Sequence, residues 1–198
     1  MRQVLFIQGG GAAVHDEWDD KLVASLQREL GAGYEVRYPR MPDEDDPSDA
    51  VWGPVIGQEL AHLDAGAVVV GHSVGGTLLV RALSDQPPQQ RELGGVVLVS
   101  APFVGAGGWP GEEFGFAVGL GARLPRGVPV HVVHGLADRT VPSSHAELYA
   151  RAIRQAQLHL LPGRDHQLDD DLGDVARVIQ REAGRRRPTG DPASADPR

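Results

Sequence analysis

Continuous apolar runs alternate along this chain with segments in which apolar residues recur every three or four positions. Short apolar runs are typical of buried strands, and the three-to-four spacing is typical of amphipathic helices. The first run, VLFIQG (residues 4–9), predicts a strand. The helical face that follows it is formed by Trp18, Leu22, Val23, Leu26 and Leu30. A helix is therefore predicted after the first strand, and Gly31 and Gly33 mark its end.

The same alternation continues to about residue 183 and predicts five more strands, each followed or preceded by a helix. The strands are predicted at YEVRYP (34–39), AVVVGH (67–72), VVLVSAP (96–102), PVHVVHG (129–135) and QLHLLPG (157–163). The helices are predicted around Ile56, Leu60 and Leu63, and at residues 75–84, 144–155 and 171–183. Several strands are apolar throughout, which indicates burial on both faces.

This pattern favours an α/β fold in which a parallel sheet of about six strands is flanked by helices in three layers. A length of 198 residues is enough for one core and short for two, so residues 1–183 are predicted to form a single domain. Residues 184–198 lack apolar periodicity and are rich in Pro, Arg and small polar residues. They are predicted to form a disordered tail.

Charge and composition narrow the classes of partner. The chain has 19 Lys and Arg against 27 Asp and Glu, a formal net charge of −8, which would repel nucleic acid and anionic membranes. Neither is expected as a partner.

The absence of cysteine excludes disulfides, thiolate metal sites and a cysteine nucleophile. No apolar run approaches the roughly 18 residues of a membrane span, and the first run is too short for a signal peptide, so a cytoplasmic location is expected. Oligomeric state is not fixed by these residues.

The third apolar run ends unusually, with a serine between small residues in GHSVGG (71–76). Side chains at the carboxyl ends of parallel strands face the crevice where ligands bind. A direct turn from strand into helix would place Ser73 in a strained conformation, where bulky neighbours would clash. Gly71 and Gly75 supply small residues on both sides. The free N–H groups at the start of the following helix would face any negative charge that develops near the hydroxyl.

With this motif, the sequence resembles the small α/β-hydrolases over residues 4 to about 183, with GHSVG as the nucleophile elbow. The resemblance implies that Ser73 is the nucleophile. It implies Asp138, in HGLADRTVP (134–142), as the acid and His166, in LPGRDHQ (161–167), as the general base. Each residue also has a purely structural interpretation. Ser73 could cap a helix, Asp138 could form a turn, and His166 could be an exposed loop residue.

A hydrolase of this type needs two donors for the oxyanion. The resemblance implies the backbone N–H of Val74 as one and a glycine in IQGGGAA (7–13) as the other, with Gly10 the first choice and Gly11 the alternative. The chain departs from the family at Gln8, where histidine is common. The glycine run lacks both GxGxxG spacing and the P-loop lysine, which argues against nucleotide binding.

Other conspicuous residues are expected to have structural roles. His72 and His134 lie at strand ends and are interpreted as packing or hydrogen-bonding residues, so neither a metal nor a cofactor is expected. Asp169, Asp170 and Asp171 are expected to cap the last helix. The acidic run DEDDPSD (43–49) is interpreted as a solvated loop, since it lacks the glycine of a calcium loop. The candidates for an acyl pocket, or else for ordinary core, are Trp52, Phe103, Trp109 and Phe114.

The segment that would form a lid in this family, residues 103–128, is only 26 residues long. This predicts a shallow site similar to that of the small lidless serine hydrolases of the retinoblastoma-binding-protein type. The predicted function is hydrolysis of small acyl substrates, carboxylesterase-like, through an acyl-enzyme. A thioesterase, amidase or peptidase would use the same residues, and a non-catalytic protein-binding module is the alternative from another class.

Overall fold

A computed structural model of the chain describes residues 1–85, 92–111 and 119–185. Within these ranges the chain forms one six-stranded sheet in which all neighbouring strands are parallel, in the order β2-β1-β3-β4-β5-β6. The strands are β1 (Arg2–Ile7), β2 (Tyr34–Arg37), β3 (Val68–His72), β4 (Gly95–Val99), β5 (Val130–Gly135) and β6 (Ala156–Leu161). The predicted fold class is therefore confirmed.

Helices follow or precede the strands as the alternation predicts. The α-helices are α1 (Asp19–Leu30), α2 (Asp49–Ala61), α3 (Val74–Ser84), α4 (Leu120–Arg123), α5 (Ser144–Ala152) and α6 (Gly173–Arg185). A π-helical turn, Val14–Trp18, precedes α1, and a short 3₁₀ turn, Leu168–Asp170, precedes α6. None of the helices in the described ranges has the length and apolar character that a membrane span requires.

Two hydrophobic clusters lie on opposite faces of the sheet and make the fold a three-layer sandwich. On one face, the strand residues pack with α2, α3 and α5 through a cluster that includes Trp52, Leu78 and Tyr149. On the other face, α1 and α6 contribute Leu26 and Ile179. Every residue of β3, β4 and β5 is buried, whereas the edge strands β2 and β6 are partly exposed. Burial from both sides explains why the inner strands lack alternation.

The structure corrects two details of the sequence prediction. Trp18 was expected on the buried face of α1, but the π-helical turn ends there and its side chain is 51% exposed. The buried residue at this end of the helix is its neighbour Asp19. At the other terminus, α6 continues through Gly184 and Arg185, so the predicted tail begins no earlier than residue 186. Residues 186–198 lie outside the described ranges.

Candidate active site

The predicted site residues follow four strands of the sheet at the same edge. Ser73 follows β3, Asp138 lies three residues after the end of β5, and His166 lies in the loop after β6. Gly10 lies in the loop after β1. The strand order reverses between β1 and β3, and the carboxyl edge at such a reversal is the usual ligand-binding crevice of an open parallel sheet.

Ser73 occupies the strained turn that its glycine neighbours predict. Its backbone has φ 51° and ψ −131°, a conformation that a non-glycine residue rarely adopts. The turn is tight because a Cβ atom on Gly71 would lie 2.5 Å from Gly76 Cα, and one on Gly75 would lie 2.0 Å from the carbonyl oxygen of Gln8. Only glycine fits at these two positions, so the strand passes directly into α3 and its end presents the Ser73 hydroxyl.

Three predicted residues form one continuous chain of hydrogen bonds. His166 Nδ1 lies 2.8 Å from Asp138 Oδ2, and His166 Nε2 lies 3.1 Å from Ser73 Oγ. The carboxylate of Asp138 can only accept, so Nδ1 carries the proton and Nε2 is left to accept from the Ser73 hydroxyl. This is the arrangement in which an imidazole can remove a proton from serine.

Asp138 has other hydrogen-bond partners besides His166. Its side chain has no exposed surface, and its Oδ1 accepts backbone N–H groups of Thr140 and Val141, both at 2.8 Å. His134 Nε2 lies 3.1 Å from Oδ2 and also 2.9 Å from the Val141 carbonyl oxygen. Burial raises the pKa of Asp138, but the hydrogen bonds from His134 and His166 more than offset this and hold the pKa well below its ordinary value. Asp138 is therefore a carboxylate at neutral pH.

The nearby aspartates have other partners. Asp165 Oδ1 accepts the backbone N–H of Asp169, which lies in the short 3₁₀ turn before α6. Asp171 accepts the backbone N–H of Gly173 at the start of α6 and pairs with Arg164 at 2.7 Å. Asp171 thus has the capping role that was expected, whereas Asp169 and Asp170 lie within the 3₁₀ turn that precedes α6.

Gly10 and Val74 are brought side by side. A Cβ atom on Gly10 would lie 2.9 Å from Val74 Cγ1 and 2.6 Å from Pro47 Cγ, so the backbone approaches closely only because residue 10 is glycine. The Gly11 N–H donates to the Glu44 carbonyl oxygen at 2.6 Å and is therefore occupied. Within the described residues the Gly10 N–H has no acceptor, and the Val74 N–H precedes the hydrogen bonds of α3.

Gln8 fixes the loop that carries Gly10, although the family pattern has histidine there. The side chain is fully buried. Its Nε2 donates to Glu44 at 2.7 Å, and its Oε1 accepts the backbone N–H of Met41 at 2.9 Å. Glu44 belongs to the acidic run that was interpreted as a solvated loop, so one carboxylate of that run has a structural role.

Sequence reasoning did not identify the pair formed by Asp19 and His72. Both are buried, and His72 Nδ1 lies 2.9 Å from the Asp19 carboxylate. His72 was correctly expected to be a hydrogen-bonding residue. The signal for Asp19 was weak, since an aspartate in the first turn of a helix is ordinarily explained by the helix dipole.

The aromatic candidates for an acyl pocket differ in how deeply they are buried. Trp52 is fully buried in the core, where its indole N–H donates to the Pro42 carbonyl oxygen, so it does not line a pocket. Phe103 packs edge-on against Tyr149. Trp109 is 39% exposed, and Phe114 lies outside the described residues.

In the described part of the chain, no group of three or more His, Asp or Glu side chains is arranged to hold a metal ion. The chemical groups of the candidate site, at the carboxyl edge of the sheet, are hydrogen-bond donors and acceptors. They are suited to moving a proton from a hydroxyl and to accepting negative charge on a carbonyl oxygen.

Solved structures share this fold. The ydeN gene product from B. subtilis is 23% identical, with a TM-score of 0.68 over 93% of this chain and 100% of that chain. A mutant of the meta-cleavage product hydrolase CumD from Pseudomonas fluorescens is 16% identical, with a TM-score of 0.73 over 94% and 92%. The esterase domain of a Rhodothermus marinus protein is 19% identical, with a TM-score of 0.67 over 93% and 87%. These similarities establish the α/β-hydrolase fold.

A search of curated protein sequences finds no significant match. The family model described as serine hydrolase matches residues 5–174, which extend from Leu5 in β1 past the end of β6 and the loop that carries His166. The chain therefore belongs to the serine hydrolase family, within the α/β-hydrolase fold.

Proposed function

We propose that this protein hydrolyses small carboxylic esters through an acyl-enzyme on Ser73. The observation that carries the proposal is the continuous hydrogen-bond chain from Asp138 through His166 to Ser73 at the carboxyl edge of the sheet. The family assignment and the esterase among the similar folds support it.

In the first half of the reaction, Ser73 Oγ attacks the ester carbonyl carbon while His166 Nε2 takes the hydroxyl proton. The electron pair of the C=O bond moves to its oxygen, which accepts hydrogen bonds from the N–H groups of Gly10 and Val74. The tetrahedral intermediate collapses and its C–O bond to the alcohol breaks. The leaving oxygen takes the proton from His166, and the acyl group remains on Ser73.

In the second half, water attacks the acyl carbon and gives one proton to His166 Nε2. Collapse of the second tetrahedral intermediate breaks the bond to Ser73 Oγ, which recovers its proton from His166. The products are a carboxylic acid and an alcohol. Asp138 remains ionised throughout, where it orients the imidazole and stabilises its cationic form.

A fluorophosphonate probe tests the proposal, because it labels an activated serine covalently. We expect the wild-type protein to be labelled and to hydrolyse acetyl esters. Ser73→Ala should lose labelling and about 10⁶-fold in turnover, because it removes the nucleophile alone. A thermal-unfolding curve checks that the variant remains folded.

Ser144→Ala is the matched control, since Ser144 is an exposed serine at the start of α5. It should label and turn over like the wild type. Labelling that persists in Ser73→Ala would assign the nucleophile to another serine. A folded wild-type protein that neither labels nor hydrolyses esters would favour a binding module instead.

A further inference from the structure

Two buried charged residues that the proposed mechanism does not use lie next to the candidate site. Asp19 is the first residue of α1 and His72 is the last residue of β3, immediately before Ser73. Their side chains are 0% and 2% exposed. Removing two charges from water is costly unless additional hydrogen bonds accompany the pair, so the other partners of these two residues are informative.

Asp19 fixes the loop that carries the proposed Gly10 donor. Its Oδ2 accepts the backbone N–H of Gly9 at 2.7 Å. A Cβ atom on Gly9 would lie 3.2 Å from His72 Nδ1 and 3.3 Å from Ser73 Cβ, so this backbone is seated directly against the end of β3. The position of Gly9, and with it the direction of the next N–H, therefore depends on Asp19.

His72 fixes the loop that carries the proposed base. Its Nδ1 faces the Asp19 carboxylate and its Nε2 lies 3.3 Å from the backbone carbonyl oxygen of His166. Both partners are acceptors, so both ring nitrogens donate and the ring is an imidazolium.

The ionisation of the pair agrees with this geometry. Burial lowers the pKa of His72, but the Asp19 carboxylate more than offsets it and raises the pKa above the ordinary value. Burial raises the pKa of Asp19, but His72 and the Gly9 N–H more than offset it and lower the pKa. Both residues are therefore charged in the folded protein over the mildly acidic range.

We propose that Asp19 and His72 are positioning residues that hold the loop after β1 and the loop after β6 in register with Ser73. Neither touches the reacting atoms. The inference rests on the proposed function, because it assigns the pair to the alignment of the Gly10 donor and the His166 base. Errors of about 1 Å in such groups cost on the order of 10²-fold in rate.

The test measures kcat per active site, with sites counted by fluorophosphonate labelling run to completion. Asp19→Ala removes the acceptor for Gly9 and the anchor of His72. We expect its kcat per site on an acetyl ester to fall about 10- to 100-fold, with KM within about threefold of wild type. Asp19→Asn keeps an oxygen at the Oδ2 position that accepts from both the Gly9 N–H and His72 Nδ1, so it should restore kcat to within about fivefold of wild type.

His72→Gln provides a second variant should Asp19→Ala fail to fold. An amide has one donor atom and cannot donate to both Asp19 and the His166 carbonyl, so kcat per site should again fall. Glu182→Gln is the matched control. Glu182 pairs with His131 at 3.3 Å, with side-chain exposures of 8% and 3%, near the opposite end of β5. This variant should lose stability while keeping the wild-type kcat per site.

The outcomes separate the two claims. An active wild type together with wild-type kcat per site in the folded Asp19 and His72 variants would overturn the positioning role. Asp19→Asn that is as slow as Asp19→Ala would also overturn it, because the charge and not the geometry would then matter. A wild type that neither labels nor hydrolyses esters would overturn the proposed function, and the inference with it.

Discussion

Asp138 is surrounded by donors, and this distinguishes it from the other aspartates near His166. Its two oxygens receive two backbone N–H groups and two histidine ring nitrogens. Asp165, although adjacent to His166 in the sequence, accepts the backbone N–H of Asp169 instead. At the scale of single residues, the acid can therefore be assigned by mutating both.

Asp138→Asn should lower kcat by about 10⁴-fold, because an amide favours the wrong tautomer of His166 while keeping the shape of the side chain. Asp165→Asn should change kcat less than about tenfold. Steady-state hydrolysis of an acetyl ester measures both values, and thermal unfolding shows whether each variant is folded. A more damaging effect from Asp165→Asn would move the acid to that residue.

Gly75 should be required for full activity, although it has no reactive atom. A Cβ atom there would lie 2.0 Å from the carbonyl oxygen of Gln8, and the backbone after β1 would have to move away. Gly75→Ala should therefore lower the melting temperature and lower kcat at least 100-fold, since Gly10 moves with Gln8. Activity and thermal unfolding are measured against Gly33→Ala, a non-helical glycine with nothing within 4 Å of the added atom. Equal effects from the two substitutions would contradict this prediction.

Which residues could be predicted from the sequence depends on the kind of signal they leave. Ser73 stands in a local motif whose glycines have a steric reason, so its turn was predictable. Asp19 and the contact from His134 to Asp138 were not, because each depends on which elements pack together. A histidine at a strand end has the same local sequence whether it faces a carboxylate or the core.

At the scale of elements, α1 connects to the site through its first residue. The π-helical turn before α1 leaves Trp18 exposed and turns Asp19 inward, toward His72 at the end of β3. The hydrophobic periodicity located the helix but not this turn. A helical pattern assumes a constant angle per residue, and a wider turn changes which residue faces the core.

The pair that joins α1 to β3 should give the stability a characteristic dependence on pH. The pKa of Asp19 is lowered from 3.8, so its stabilising contribution is present above about pH 4 and lost as the pH falls. The pKa of His72 is raised from 6.5, so its contribution is present below about pH 6.5 and lost as the pH rises through the raised value. The contribution of the pair should therefore be largest between these two limits.

Denaturant unfolding of the wild type and of Asp19→Asn from pH 3 to 9 measures this contribution as a difference in the free energy of unfolding. The difference should be greatest between about pH 4 and 6.5 and should decrease on both sides. A difference that is constant across the range would mean that the two groups do not ionise as a pair.

At the scale of the whole molecule, the order of strands and helices was predictable because each element repeats one simple pattern. Six apolar runs became six parallel strands, and burial on both faces explains their composition. Element ends were less predictable, as α6 shows by continuing to Arg185. The last turns of a helix are set by packing more than by local sequence.

The shortness of segment 103–128 predicts which acyl groups the protein accepts. The segment has 26 residues, and within its described part the only helix is Leu120–Arg123, so we expect little apolar surface to cover a long acyl chain. Catalytic efficiency should be higher for acetyl and butyryl esters than for dodecanoyl esters. A series of p-nitrophenyl esters below their micelle concentrations measures this. Higher efficiency on the dodecanoyl ester would show that a larger apolar surface covers the site.

The parallel order of the sheet also determines when the site can exist during folding. Ser73 and His166 are 93 residues apart, and the loop that carries His166 is placed by β6, which among the described strands pairs with β5 alone. A folding intermediate that has formed β1, β3, β4 and β5 but has not added β6 would have the strained serine without His166, its proposed base. Non-local pairing of this kind is slow relative to the formation of helices. Covalent labelling of Ser73 during refolding would therefore time the addition of the last strand, whereas circular dichroism would follow the earlier appearance of the helices.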